Sequence, residues 1–178
     1  MPEFAGKEFR KAEGQSEVLG SGGPLFTYSV FVQQGLGFRV TDVARRVDRT
    51  LGDERGWTRG GGVRFQRVED GVTPVLLCAP DVVDALCAPL STEGEVSCCI
   101  HGRIVLNVKR WRSAVPHWTR TTRAYREALI NHEWGHRIGK GHGTCPGPGQ
   151  RHPIMMQFTY GLQGCKENSW PLDSEIPS

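Results

Sequence analysis

The sequence contains no apolar run long enough to cross a membrane, and no apolar stretch of a signal peptide near its start. No C-x-x-C pair is present, which argues against a zinc ribbon or a dithiol redox centre. The absence of G-x-S-x-G removes the nucleophile elbow of serine hydrolases. Neither an internal repeat nor a low-complexity tract occurs, so a solenoid is excluded. Charge of one sign is not concentrated either. The chain has 22 Lys and Arg against 19 Asp and Glu, and its basic residues are scattered, as at Arg45, Arg46, Arg110, Arg112, Arg120 and Arg123. Without an aromatic-basic platform, no nucleic-acid partner is expected; a modest preference for acidic surfaces is compatible with the balance.

What is present fits one globular domain, since 178 residues can bury a sizeable core. Residues 1–23 are polar and broken by glycines, and Met-Pro-Glu-Phe resembles an expression tag. They are expected to be a disordered tag or linker, with any export signal or anchor outside this sequence. The domain is then expected over residues 24–178, divided into an N-terminal part (24–139) and a C-terminal part (140–178).

Six cysteines in a glycine-rich chain suggest disulfides and an oxidising compartment. Six allow fifteen connectivities, and sequence alone does not choose among them; buried reduced thiols are the alternative. The favoured pairing joins Cys145 to Cys165 around the segment after the histidine motif described below. It joins Cys87 to Cys98 across a short loop. Cys78 to Cys99 then ties a strand end to that loop.

Periodicity gives the order strand, helix, strand, strand, strand, helix. Residues 25–33 are rich in aromatic and β-branched types and read as a strand. A helix capped by Thr41 or Asp42 runs to Leu51, with Val43, Val47 and Leu51 as its apolar stripe. Residues 63–68 alternate as a strand. Residues 72–78 are nearly all apolar and read as a central strand whose ladder starts after Pro74. A short helical turn is expected over 81–86, a further strand over 103–109 and an irregular stretch over 111–118. A long helix capped by Thr121 or Thr122 runs to Ile138.

That helix carries the chemistry. His132-Glu133-Trp134-Gly135-His136 is H-E-x-x-H, extended by Gly139 and His142 to H-E-x-x-H-x-x-G-x-x-H. Residues i and i+4 share a helix face, so His132 and His136 can aim at one point. Glu133 lies roughly 100° around the helix and can reach a water on a shared ion, the place of a general base. A straight helix would carry His142 about 9 Å beyond His136. Gly139 is therefore expected to end the helix in a sharp turn that returns His142 as third ligand. Three histidines and a water describe an open catalytic Zn²⁺ site. His117 and His101 read as surface residues, and the spacing of His152 does not match a ligand.

This signature resembles that of the metzincin clan of zinc endopeptidases. Further blocks, Leu86-Cys87-Ala88-Pro89-Leu90, Asn131-His132-Glu133, Cys145-Pro146-Gly147-Pro148-Gly149 and Gly161-Leu162-Gln163-Gly164-Cys165 among them, are similar to a family of secreted actinobacterial domains of unknown function. The likeness runs over residues 26–171. It implies an α+β, zincin-like fold: a twisted mixed sheet of about four strands, a backing helix, an active-site helix and an irregular C-terminal subdomain with a Met-turn. It implies metal ligands at His132, His136 and His142, with Glu133 as base. Met155 is expected at the Met-turn, with Met156 as runner-up. The resemblance supports Cys87–Cys98 and Cys145–Cys165, while Cys78 and Cys99 look like an addition. Several metzincin groups place a tyrosine where this chain has Gln157; Tyr160 is out of register and is expected to be a packing residue.

The expected activity is therefore peptide-bond hydrolysis with one Zn²⁺ ion, by a secreted or cell-surface monomer acting on an extended protein or peptide. The strand over 104–108 is expected to edge the cleft and pair with the substrate. A zinc-binding module without turnover and a zinc hydrolase of cell-wall peptides are the alternatives.

Overall fold

Alternation along three parallel strands sorts their side chains onto two faces. In β3 (Leu25–Gln33), Tyr28, Val30 and Val32 point to one face and Phe31 to the other. In β5 (Thr73–Cys78), Val75 and Leu77 oppose Leu76 and Cys78, and in β7 (Arg103–Asn107), Ile104 and Leu106 oppose Val105. Buried on both faces, these strands read as nearly continuous apolar runs. The computed structural model describes residues 2–177. It shows an α+β fold around a mixed seven-stranded sheet in the order β1-β2-β3-β5-β7-β6, with β4 beside β3.

Strands β3, β5 and β7 are mutually parallel. β1 (Glu3–Phe4) pairs antiparallel with β2 (Lys7–Lys11). β2 pairs antiparallel with residues 31–33 of β3, while β4 (Arg64–Arg67) runs parallel to residues 25–28 of the same strand. β6 (Cys98–Ile100) closes the far edge, antiparallel to β7. The upper face packs under α1 (Val40–Leu51) and α4 (Thr122–Arg137), and the lower face packs on α2 (Pro80–Cys87). The short α3 (Val108–Arg112) follows β7 directly.

Several expectations need correction. Residues 1–23 are not a disordered tag over their described part. β2 has a single inward residue, Phe9, fully buried in the lower cluster with Phe31, Leu76 and Val83. Phe4 meets Phe9 and Phe31 edge-on at 5.1 and 5.3 Å. One apolar side chain among four polar ones makes no periodic signal, which is why the strand read as a tail. The sheet has seven strands rather than four. α1 begins at Val40 with Arg39 at the cap position, ahead of both expected caps, Thr41 and Asp42, and Asp42 instead lies in its first turn, paired with Arg39 and Arg45. Pro74 falls inside the paired register, opposite Ser29. Residues 108–109 are helical rather than extended.

Two disulfides are formed, Cys87–Cys98 and Cys145–Cys165, as expected. The third expected bond, Cys78–Cys99, is not formed. β5 and β6 flank β7, so two strand spacings of about 4.8 Å each separate the two backbones. The side chains also lie on opposite faces, Cys78 in the lower cluster and Cys99 against the upper one. A disulfide cannot cross a sheet in that way. Disulfides are typical of proteins outside the cytoplasm. Among the described residues, no helix is long and apolar enough to cross a membrane.

Two outcomes test this architecture. Phe9→Ala should lower unfolding free energy by about 3–5 kcal/mol in denaturant melts, whereas a dispensable tail would give no change. Burial pushes both the Cys78 and the Cys99 thiol up to about 12. A thiol reagent at pH 8 should therefore find two reactive groups per chain only after unfolding without reductant; none in the unfolded chain would reveal a Cys78–Cys99 bond.

Candidate metal centre

α4 starts where Thr121, in extended conformation, accepts the backbone N–H of Ala124 at 3.2 Å. This side-chain cap fixes the helix register about three turns ahead of His132 and about four ahead of His136. Trp134, on the sheet-facing side, meets Tyr28 and Phe65 edge-on at 5.4 and 4.9 Å, which locks the rotation of the helix. His132, Glu133 and His136 are thereby turned toward an open cleft.

The helix ends as the spacing predicts. Gly139 takes φ +91°, its N–H donates to His136 O at 3.0 Å, and Lys140 N–H donates to Gly135 O at 2.9 Å. These paired bonds around a left-handed glycine form a Schellman turn. The reversal brings His142 Nε2 to 3.0 Å from His136 Nε2, and His132 Nε2 lies 3.2 Å from the same atom. The ligand atoms of the three side chains all lie within 4.8 Å of one another, and among the described residues they form a group that could hold a metal ion.

Backbone carbonyls orient two of the rings. His132 Nδ1 donates to Ile154 O at 2.8 Å, and His136 Nδ1 donates to Lys140 O at 3.0 Å. A carbonyl only accepts, so each Nδ1 carries the proton. The Nε2 atoms of His132 and His136 then present lone pairs to one another. Nitrogens held at about 2.0–2.1 Å from a tetrahedral ion would be about 3.3 Å apart, close to the separations observed. The donor set therefore fits a bound metal ion.

Beneath the rings the chain turns at residues 153–156, where Met156 N–H donates to Pro153 O at 3.0 Å. Met155, not Met156, lies against the helix. A Cβ placed on Gly135 would sit 2.1 Å from Met155 Sδ. Gly135 is thus required between the two helical histidines so that the methionine can approach. Met156 instead lines the cleft and bridges to Gly143.

The family model described as "Protein of unknown function (DUF3152)" matches residues 1–176. The chain belongs to this family. No curated protein matches it. The DUF3152 match takes in the N-terminal strands as well as the histidine motif.

Electrostatics in this DUF3152 chain favour neutral imidazoles at His132 and His136. Burial first, and then the neighbouring His136, push His132 down to about 3, and burial lowers His136 as well. Glu133 is 4% exposed, has no partner at Oε2, and is pushed up to about 8 by burial. It lines the same cleft, of about 480 Å³, as the three histidines.

The edge expectation fails. β7 is an interior strand, and this wall of the cleft is the loop of residues 90–97 together with Cys98 and Cys99 of the edge strand β6. Tyr160 is not a packing residue: it is 58% exposed on the cleft rim. His152 is outside the metal group, as its spacing suggests, yet it is fully buried, stacked on Phe158 at 5.2 Å. Exposed His117 bonds Phe158 O at 2.8 Å. Sequence reasoning missed Glu175, whose carboxylate accepts the N–H groups of Ile154 and Met155, both at 2.9 Å. An acid about twenty residues away from its target leaves no local signal.

Gly135→Ala should cost about 1–3 kcal/mol by overpacking. The loss should shrink in a Met155→Ala background, as a double-mutant cycle in denaturant would measure. An unchanged midpoint in the single variant would refute the close approach of Met155 to the helix.

Proposed function

We propose that the chain is an exported, metzincin-like zinc endopeptidase. The observation that carries this reading is the convergence of three imidazole Nε2 atoms beside an unpartnered, buried carboxyl in an open cleft. His132, His136 and His142 would hold the ion. When bound, Zn²⁺ supplies Lewis acidity, lowering the pKa of water toward about 7 and polarising a carbonyl.

The chain's own residues account for the rest. Glu133 Oε2 has no competing donor, and a cation held by the histidines would offset the burial that raises its pKa, leaving the carboxylate free to accept the proton of a water attacking a peptide carbonyl. It then returns that proton to the leaving amine nitrogen. Ile154 O and Lys140 O hold the imidazoles in the tautomer that leaves Nε2 unprotonated. Leu129 lies one helical turn before Glu133 and, with Met156 and Phe158, gives the cleft an apolar side. β6 is paired with β7 on one side only, and its other edge can accept an extended peptide as an added strand. This edge takes the role that the sequence suggested for residues 104–108. The two disulfides support export.

The test combines metal analysis with cleavage of a denatured proteome and of peptidoglycan. The wild-type chain should retain about one zinc and cleave peptide bonds. Glu133→Gln should keep the zinc while turnover falls by about 10²–10⁴-fold. Undiminished turnover in that variant would remove Glu133 as base. Zinc retained with no cleavage of any substrate would instead indicate a binding module, and cleavage confined to peptidoglycan would indicate a cell-wall hydrolase.

A further inference from the structure

We infer that Glu175 is a positioning residue for the metal centre, acting on His132 through a single peptide group. The inference rests on reading His132, His136 and His142 as metal ligands. Glu175 Oε1 accepts the N–H of Met155 at 2.9 Å; Oε2 accepts those of Ile154 at 2.9 Å and Leu172 at 2.8 Å. The N–H of Met155 and the C=O of Ile154 belong to the same planar peptide unit. On its other side that unit accepts Nδ1–H of His132 at 2.8 Å. The chain of contacts therefore runs from carboxylate to peptide to imidazole.

Metal-binding histidines commonly donate their second N–H to a carboxylate or a backbone carbonyl, which fixes the ring and raises its basicity. Here a peptide group stands between the two. A charged acceptor on its N–H polarises the carbonyl and strengthens it as acceptor for the imidazole. The geometry is fixed as well as the charge. With both ends of the peptide bonded, its plane cannot rotate without breaking a hydrogen bond. The Met155 side chain beneath Gly135 depends on that same plane.

Glu175 is delivered by a C-terminal segment that lies back across the domain. Ser169 O accepts from Asn131 Nδ2 at 2.8 Å, and Arg55 stacks over Trp170 at 4.2 Å. Arg59 pairs with Asp173 at 2.8 Å and donates to Pro171 O at 3.2 Å. Asp173 is an internal control, because it anchors the same segment without touching residues 153–156.

The experiment compares Glu175→Gln, Glu175→Ala and Asp173→Asn in the full chain. Zinc affinity is read by competition with a chromogenic chelator, and ligand geometry by the visible spectrum of the cobalt-substituted protein. Glu175→Gln should bind zinc about 10-fold more weakly and Glu175→Ala up to about 100-fold, the usual range for partners behind a ligand. Both should alter the cobalt spectrum. Asp173→Asn should change affinity by less than about twofold, as expected for an exposed ion pair. If the alanine variant does not fold, the nearly isosteric glutamine variant decides. Folded Glu175 variants with wild-type affinity and spectrum would overturn the inference while leaving the metal site intact. Loss of fold in both would also overturn it, since the carboxylate would then be a general prop. A wild-type chain that retains no zinc would remove the metal reading itself, and this inference with it.

Discussion

Imidazole lone pairs that face one another repel, and the structure holds Nε2 of His132 and His136 within 3.2 Å against that repulsion, with His142 Nε2 beside them. Each restraint acts at a different point. The carbonyls of Ile154 and Lys140 fix the tautomers of His132 and His136. The left-handed turn at Gly139 reverses the chain so that His142 returns to the other two. The edge-on contacts of Trp134 set the rotation of α4 over the sheet. A positive ion at the shared centre would relieve the repulsion, and the fold and the ion would then stabilise each other.

The requirement propagates outward through small residues and backbone groups more than through bulk. Gly135 is small because Met155 must reach the helix. Met155 is placed by the turn of residues 153–156, and that turn is held by Glu175. Meanwhile Ile154 contributes twice: its side chain is fully buried in the upper core, and its carbonyl orients a ligand. The ligand geometry is thus tied to core packing.

The legible part of the sequence was the part written in local spacing. H-E-x-x-H-x-x-G-x-x-H states helix, stop and return within eleven residues, and the Gly139 turn and the three histidines lie where it places them; the cap is Thr121, the first of the two threonines that the sequence offered. β3 was legible because aromatic and β-branched residues dominate it, and β5 because residues 75–78 are apolar without interruption. Illegible features depend on partners distant in the chain. Phe9 is one inward residue that means nothing until residues 31–33 lie beside it. β6 is three residues long and contains two cysteines, and loop chemistry masked it. Cys78 and Cys99 could be paired on paper only because sequence does not say which face of a sheet each occupies.

The placement of the cross-links follows from where hydrogen-bonded ladders are missing. The cleft has two walls. One is the loop of residues 90–97 leading into β6, the other the irregular segment after Met155, and neither is held by long secondary structure. Cys87–Cys98 ties the first wall to the end of α2, and Cys145–Cys165 encloses the segment that carries the second. Closing loops with sequence separations of 11 and 20 residues stabilises by about 3 kcal/mol each in the chain-entropy account. The two thiols left free lie instead within β5 and β6, where strand pairing already fixes the backbone. Covalent restraint is therefore concentrated on the walls of the cleft, while its floor is held by helix and sheet.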